Sequence, residues 1–367
     1  MRERQIYLED LRSHEIVRLT EADSPDVING TFDWVYEEEF FLGSRPGADG
    51  WRWSPDGAKI AYWQLDASGI GVHLMINNTD SLYPFTIPVQ YPKAGTTNSA
   101  GRMGVVSADG GATTWMQLEG DPRDNYIARM EWAASSDEIV MQYLNRHQNT
   151  LQVVLGNAAT GAVQTVHTER EETWVDAVDD LFWLDDGSRF TWVSEQDGWR
   201  RLYVMNRDGS AGRVLTGALD LSVRSTPVWA GDGSGLFFRT SSEGNGKIGF
   251  VDLAGKVRTI AGDLGGTSLG RPYASGSFSV DAGGRYAYTV TRPDHPADVA
   301  VGDARSGGGR RITRLNDDLL AHSNLAEVEE IGQPGYREWF VTLAPPRLSS
   351  PPVYGPLRYV EQVAVVN

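Results

Sequence analysis

The sequence contains no cysteine. Disulfides, thiolate metal sites and cysteine nucleophiles are therefore excluded, while compartment is left open. No run of about 18 apolar residues occurs, so no segment is long enough to cross a bilayer as a helix. Residues 1–8 lack the apolar stretch of a signal peptide, and the abrupt start on a strand-like segment leads us to expect a missing amino-terminal part. Basic residues are few and dispersed. With 33 Lys and Arg against 49 Asp and Glu, the net charge of −16 argues against a nucleic-acid partner, because phosphate binding needs a basic face. The six His (14, 73, 147, 167, 295, 322) show no metal-ligand spacing, and no metal or cofactor is expected. The expectation is a soluble chain, periplasmic or cytoplasmic if bacterial.

What is present points to strands. Apolar residues make up 40% of 367 positions, with 12 Trp, 14 Tyr and 11 Phe, which suffices for a sizeable core. The 41 Gly and 17 Pro break every helical pattern before it completes three turns. Segments around Val153, Tyr203, Phe250 and Ala300 resemble one another at spacings of 50, 47 and 50 residues. About twenty residues before each lies an apolar residue, a polar turn and a strand, at Trp132, Trp183, Trp229 and Val280. An earlier copy is Trp53-Ser54-Pro55-Asp56-Gly57. Asp and Gly supply turn geometry between short antiparallel strands. Repeats of 40–50 residues with four strands each are the signature of a β-propeller.

The first unit is expanded by three non-repeating stretches: Asp33 to Phe41, Asn77 to Pro84 and Tyr91 to Gly95. In the first, Glu37, Glu38 and Glu39 stand between Trp34, Tyr36, Phe40 and Phe41, aromatics expected to hold the segment against a packed surface. Three adjacent carboxylates there call for a cationic partner, whether Arg or Lys, a metal, or a peptide's amino terminus. After Ile331 the repeat stops, and residues 332–367, with six prolines, read as a linker or the start of another domain. The single Gly-x-Ser-x-Gly match, at Ser268, has turn-like flanks and Pro272 behind it, which do not make a nucleophile elbow. Asp179-Asp180 and Asp185-Asp186 read as turn residues. The sequons at Asn29 and Asn77 carry little weight without a secretory context.

At these residues the chain resembles the propeller domain of the dipeptidyl peptidase IV subfamily of the prolyl oligopeptidase family. The matching motifs are DWVYEEE (33–39), WRWSPDG (51–57), IAYWQ (60–64), NNTDSLYP (77–84), YPKAG (91–95), LNRHQNT (144–150) and SEQDGWRRLY (194–203). The resemblance spans roughly residues 5–331. It implies an all-β, eight-bladed propeller capping an α/β-hydrolase domain, in serine peptidases that release Xaa-Pro or Xaa-Ala dipeptides from a free amino terminus. The last two Glu of the family's segment bind the substrate's amino group, a role that falls here on Glu38 and Glu39. Asp33, Trp34, Tyr36 and Glu37 are expected to support them. An α-amine, with an ordinary pKa of about 7.7–8.0, would be held protonated by two carboxylates.

Two features depart from the family pattern. A substrate-binding Arg that the family places upstream would precede Met1, and Arg201 stands where a His is common. The expectation is an incomplete propeller of about six blades over 1–331, without a hydrolase domain and inactive alone. An open blade edge is then expected to promote self-association. The partners expected are a peptide with a free amino terminus, the missing hydrolase domain and a second copy in a homodimer. A stand-alone propeller that binds protein or peptide is the alternative reading.

Overall fold

The computed structural model describes residues 2–42, 49–179, 181–184, 186–217, 223, 227–242, 245–266, 276–292 and 295–323, and the backbone of 327–332 and 339–344. Every strand pairing among them is antiparallel, and the helical pieces are a π-turn, Val35–Glu39, and one short helix, α1 (Asp317–Leu320). The fold is all-β, as expected.

The chain divides into two compact units, Met1–Thr191 with Met205–Gly212, and Trp192–Val204 with Arg213–Asn367. In the first, β1 (Tyr7–Glu9) pairs with β2 (Ile16–Arg18). Next, β3 (Val27–Asn29) and β4 (Trp51–Trp53) both lie along β5 (Lys59–Asp66). A separate hairpin, β6 (Val72–Asn77) and β7 (Phe85–Gln90), precedes β8 (Ala100–Ser107) and β9 (Thr114–Trp115), which complete the sheet. The meander β10 (Asn125–Trp132), β11 (Glu138–Asn145), β12 (Thr150–Asn157) and β13 (Val163–Arg170) follows. A three-stranded sheet comes next, of β14 (Arg189–Ser194), β15 (Arg201–Asn206) and β16 (Arg213–Val214), whose residues divide between the two units.

The second unit holds two further meanders: β17 (Val228–Trp229), β18 (Gly235–Ser242), β19 (Asn245–Asp252) and β20 (Val257–Ala261), then β21 (Phe278–Val280), β22 (Arg285–Arg292), β23 (His295–Asp303) and β24 (Arg310–Arg311). After α1, β25 (Glu327–Gly332) pairs with β26 (Trp339–Ala344). The sequence pattern shows no complete strand pair beyond Ile331, yet β26 lies there and closes back on β25.

These meanders are propeller blades, and the repeat maps onto them directly. Val153, Tyr203, Phe250 and Ala300 fall in β12, β15, β19 and β23, while Trp132, Trp229 and Val280 end the first strand of their blades. Trp183 makes an isolated bridge to Phe190 in the equivalent place. The intervening turns are closed by Asp side chains: Asp56, Asp186, Asp232 and Asp281 accept the N–H two residues on, at 2.9–3.0 Å. Middle strands are buried on both faces, as in Ile60 to Leu65 and Ile139 to Leu144. In the second unit Phe237, Ile248, Phe250, Ile260, Tyr286 and Tyr288 form one apolar cluster between its two meanders.

The edge strand of the first blade is cut in two. β3 ends opposite Gln64 and β4 begins opposite Tyr62, so residues 30–50 leave and rejoin the sheet across one residue, Trp63. Gly30 donates to the Trp63 carbonyl at 2.9 Å, Trp63 to Gly50 at 2.9 Å, and Gly50 to Gly30 at 3.0 Å. A Cβ on Gly50 would stand 2.7 Å from the Gly30 carbonyl carbon and 2.8 Å from the Thr31 nitrogen. Gly50→Ala is therefore expected to cost about 1–3 kcal/mol, read from the midpoint of urea unfolding. Gly71→Ala, where a Cβ meets nothing within 4 Å, should stay within about 0.5 kcal/mol of the parent.

Candidate amine-binding site

The excursion from the first blade opens with a turn held by its own backbone. Phe40 N–H bonds to the Val35 carbonyl at 3.1 Å, an i→i+5 contact, and Glu37 N–H to the Asp33 carbonyl at 2.9 Å. Asp33 closes the start of the turn, its Oδ1 accepting Tyr36 N–H at 3.1 Å. Burial pushes the Asp33 carboxyl above its ordinary range, and the backbone donors only partly offset this. A π-turn carries one more residue than an α-turn and so re-aims the side chains around it. Tyr36 and Phe40 point inward here, and Glu37, Glu38 and Glu39 face solvent.

Tyr36 pins the turn to the second blade. Its side chain is 2% exposed, and its hydroxyl accepts the N–H of Ile127 at 3.1 Å. Ile127 sits where the β10–β11 register shifts, a bulge at which the ladder is interrupted. Its carbonyl is taken by Trp63 Nε1 at 2.9 Å. Any side chain at position 101 would collide with the phenol, since a Cβ on Gly101 would lie 2.7 Å from the Tyr36 oxygen. Burial raises the Tyr36 phenol far above its ordinary range and keeps it neutral.

Aromatic rings complete the seat. Phe32 stacks on Tyr36 at 6.3 Å and meets Trp63 edge-on at 5.4 Å. Phe40 lies 5.1 Å from Tyr126, whose hydroxyl accepts from Asn98 at 2.7 Å. Trp34, half-buried, packs edge-on against Tyr91 at 5.0 Å, which ties the second excursion to the first. Phe41 corrects the expectation that all four flanking aromatics hold the segment down. It adopts a left-handed conformation, φ 56°, and leaves its ring 62% exposed.

The three carboxylates are equivalent by burial. Glu37, Glu38 and Glu39 are all exposed, and none of their carboxylates has a hydrogen bond or ion pair to another described residue. Nothing in the packing sets Glu37 apart from the other two. Phe32, Gly101, Tyr126 and Ile127, which build the seat, escape a reading of motifs because they lie outside the DWVYEEE segment.

Other candidate positions resolve into structural roles. Asp179 pairs with Arg129 at 2.5 Å and Asp186 caps its own turn, while Asp180, Asp185 and Ser268 lie outside the described residues. Asn29 is fully buried, its amide bonded to Gln5 and Gln64, so that sequon is closed. Arg201 is buried against Asp197 and the Thr216 carbonyl, each at 3.1 Å.

Tyr36→Phe keeps the ring and removes the acceptor, leaving the Ile127 N–H buried and unpaired. The expected cost is about 1–3 kcal/mol in denaturant unfolding.

With this geometry in view, comparison with known proteins is informative. Residues 1–297 match the family "Dipeptidyl peptidase IV (DPP IV) N-terminal region". Mouse inactive dipeptidyl peptidase 10 is 32% identical over 189 residues, covering 50% of this chain and 23% of that protein. Dipeptidyl peptidase 4 of Arthroderma otae is 29% identical over 212 residues, covering 54% and 27%. Among solved structures, Porphyromonas gingivalis dipeptidyl peptidase 4 superposes with a TM-score of 0.76 at 23% identity, covering 90% of this chain and 46% of that one. A putative dipeptidyl aminopeptidase IV from Bacteroides ovatus gives 0.68 at 17%, covering 89% and 49%. The chain thus spans less than half the length of each of these relatives, and the structural likeness shows the fold. By its sequence match and its bladed fold, the chain belongs to the dipeptidyl peptidase IV N-terminal region family.

Proposed function

We propose that this chain is the propeller portion of a dipeptidyl peptidase IV-like serine exopeptidase and that Glu38 and Glu39 bind the free amino terminus of the peptide substrate. One observation carries the reading. Acidic side chains that lack partners among the described residues stand on a turn whose other face is fixed by Tyr36, Phe40 and Trp34. A pinned turn loses little freedom on binding, and two carboxylates on it match an ammonium group that can share its protons between them. In the intact peptidase, anchoring the amine at a fixed distance from a serine would limit cleavage to the bond two residues in. Residues 1–331 form the propeller part of this reading, and 332–367 lead toward the hydrolase domain that supplies the serine.

The purified chain is expected to bind a Xaa-Pro peptide with a free amino terminus in calorimetry, and not its N-acetyl form. Glu38→Gln and Glu39→Gln should each abolish binding without moving the unfolding midpoint by more than about 0.5 kcal/mol, as surface changes do. Equal binding of the acetylated peptide, or undiminished binding by both variants, refutes the assignment.

A second copy of the chain is the other partner we assign, docking on the β6–β7 hairpin. The hairpin exposes Leu74, Ile76, Leu82 and Tyr83 at 56, 74, 89 and 77%, and a lone two-stranded hairpin is marginal in water. Asp80 is the sole formal charge between residues 67 and 92 of a chain at −16, so two copies meet here with least repulsion. The Tyr91 N–H bond to the Gly71 carbonyl sets the hydrogen-bonding alternation, which turns the Pro88 nitrogen to the outer edge of β7. Pro88 thus blocks that edge and leaves the edge of β6 open. Light scattering is expected to give a dimer that Ile76→Lys converts to monomer. A monomeric parent at high concentration overturns this.

A further inference from the structure

The second unit holds a dense cluster of titratable groups that the peptide-binding reading does not use. His295 begins β23 and Asp298 lies three residues along it, Arg311 ends β24, and Asp317 opens α1. Arg311 Nη2 donates to both Asp317 oxygens at 3.1 and 3.0 Å, and its Nη1 stands 3.2 Å from Asp298 Oδ2. That last contact is an ion pair without hydrogen-bond geometry, so Oδ2 has charge compensation but no donor. His295, Asp298 and Asp317 bring their ligand atoms within 4.8 Å of one another, a set that could suit a divalent ion. The Arg311 guanidinium already lies among them and supplies the positive charge, so the cluster reads as an ion-pair network.

The informative atom is His295 Nε2. The Pro296 carbonyl, 2.7 Å from Nδ1, can only accept, which places a proton on Nδ1. Nε2 lies 3.1 Å from Asp317 Oδ1 and also 3.1 Å from Arg311 Nη1. These contacts make opposite demands. Asp317 requires a proton on Nε2, and Arg311 requires a lone pair there. A cavity of about 180 Å³, lined by Val290, Thr291, Arg292, His295 and Arg311, adjoins the imidazole and gives protons a route to it.

The segment beyond β24 depends on the same cluster. Asp298, 2% exposed, accepts the Thr313 hydroxyl at 2.7 Å and the Leu315 N–H at 3.0 Å through Oδ1. Ile312 N–H reaches the Val299 carbonyl at 2.8 Å. Past these bonds, Asp317 attaches α1 to the blade through Arg311 and His295.

We propose that a single proton on His295 Nε2 works as a clasp that closes residues 312–323 onto the last described blade. With the proton, His295 donates to Asp317 and the clasp is shut. Without it, Nε2 accepts from Arg311 and turns a lone pair toward the Asp317 carboxylate, which loosens α1. This goes beyond the peptide-binding reading and does not depend on it.

The groups facing the imidazole are Asp298 on its own strand, Arg311 from β24, Asp317 from α1 with Arg314 3.8 Å behind it, and Arg292 across the cavity. The Pro296 carbonyl, then Asp317 and Asp298, raise the His295 pKa, against burial and Arg311. A raised folded value sets the sign. The clasp's contribution is complete below the pKa that His295 has with α1 released and is lost as pH climbs through the higher value it has with α1 docked.

Hydrogen exchange of the full chain, corrected for intrinsic rates, tests this between pH 6 and 8.5. Protection of amides 313–323 should fall with rising pH, by about tenfold for each unit by which the His295 pKa with α1 docked exceeds its value with α1 released. Amides of β10–β13 should not change. His295→Gln should make the 313–323 protection independent of pH, and Asp317→Asn, which keeps the imidazole, should do the same. Flat protection in the parent, or an unchanged pH response in either variant while β10–β13 stay protected, overturns the proposal.

Discussion

The hydrogen bond from Ile127 N–H to the Tyr36 hydroxyl is the contact on which the acidic turn depends. It joins an excursion of the first blade to a bulge in the second. Both groups are buried, and either left alone would incur a desolvation cost. The excursion cannot swing away without exposing Phe32, Tyr36 and Phe40 and stranding a backbone donor. Its outer face carries charge that would be intolerable inside. Apolar packing below and carboxylates above are thus two consequences of one fixed turn.

The rest of the first unit serves that placement. Gly50 and Gly30 let the chain leave and rejoin the sheet at one residue, so the blade is hardly disturbed by a twenty-residue detour. Gly101 makes room for the phenol from the far side. Trp34 and Tyr91 bring the second excursion alongside, and Tyr91 also closes the base of the β6–β7 hairpin through the Gly71 carbonyl. Hairpin base and acidic turn therefore share one ring contact, while the sheets beneath them keep the regular meander of the repeat.

The blades were readable from the sequence because each repeats a local code. Trp132, Trp229 and Val280 end first strands, turns containing Asp follow, and the anchors Val153, Phe250 and Ala300 fall in third strands. Period-two patterning and turn chemistry act over a few residues, so they show directly in the order of amino acids. The DWVYEEE segment was readable for another reason, its likeness to a family. What it could not reveal was its seat. Phe32, Gly101, Tyr126 and Ile127 are joined to Tyr36 by contacts spanning up to 91 residues, and no local pattern announces them. Phe41 was misjudged because composition counts aromatic neighbours but does not see a φ of 56° that turns one of them outward. His295 and Asp317 stayed invisible as a pair for the same reason as the seat, since 22 residues and the reversal from β23 to β24 separate them.

Family membership explains the scaffold and leaves the activity to the site. One of the relatives is named an inactive dipeptidyl peptidase, so the propeller by itself does not imply turnover. The proposed capture rests on charge that lacks a partner among the described residues, held on a turn whose inner face is packed. An Arg within reach of Glu38 and Glu39 would neutralise them and leave an ordinary surface ion pair, as Arg52 does for Glu131 between the first two blades. The described chain supplies no such cation at the turn. Arginines of the first unit are engaged elsewhere, Arg102 with Gln64 and the Trp115 ring, Arg123 with Asp66, and Arg146 with Asp124. Among the described residues that allocation leaves the acidic triplet without an ion-pair partner, and the proposed capture of a peptide amine rests on that.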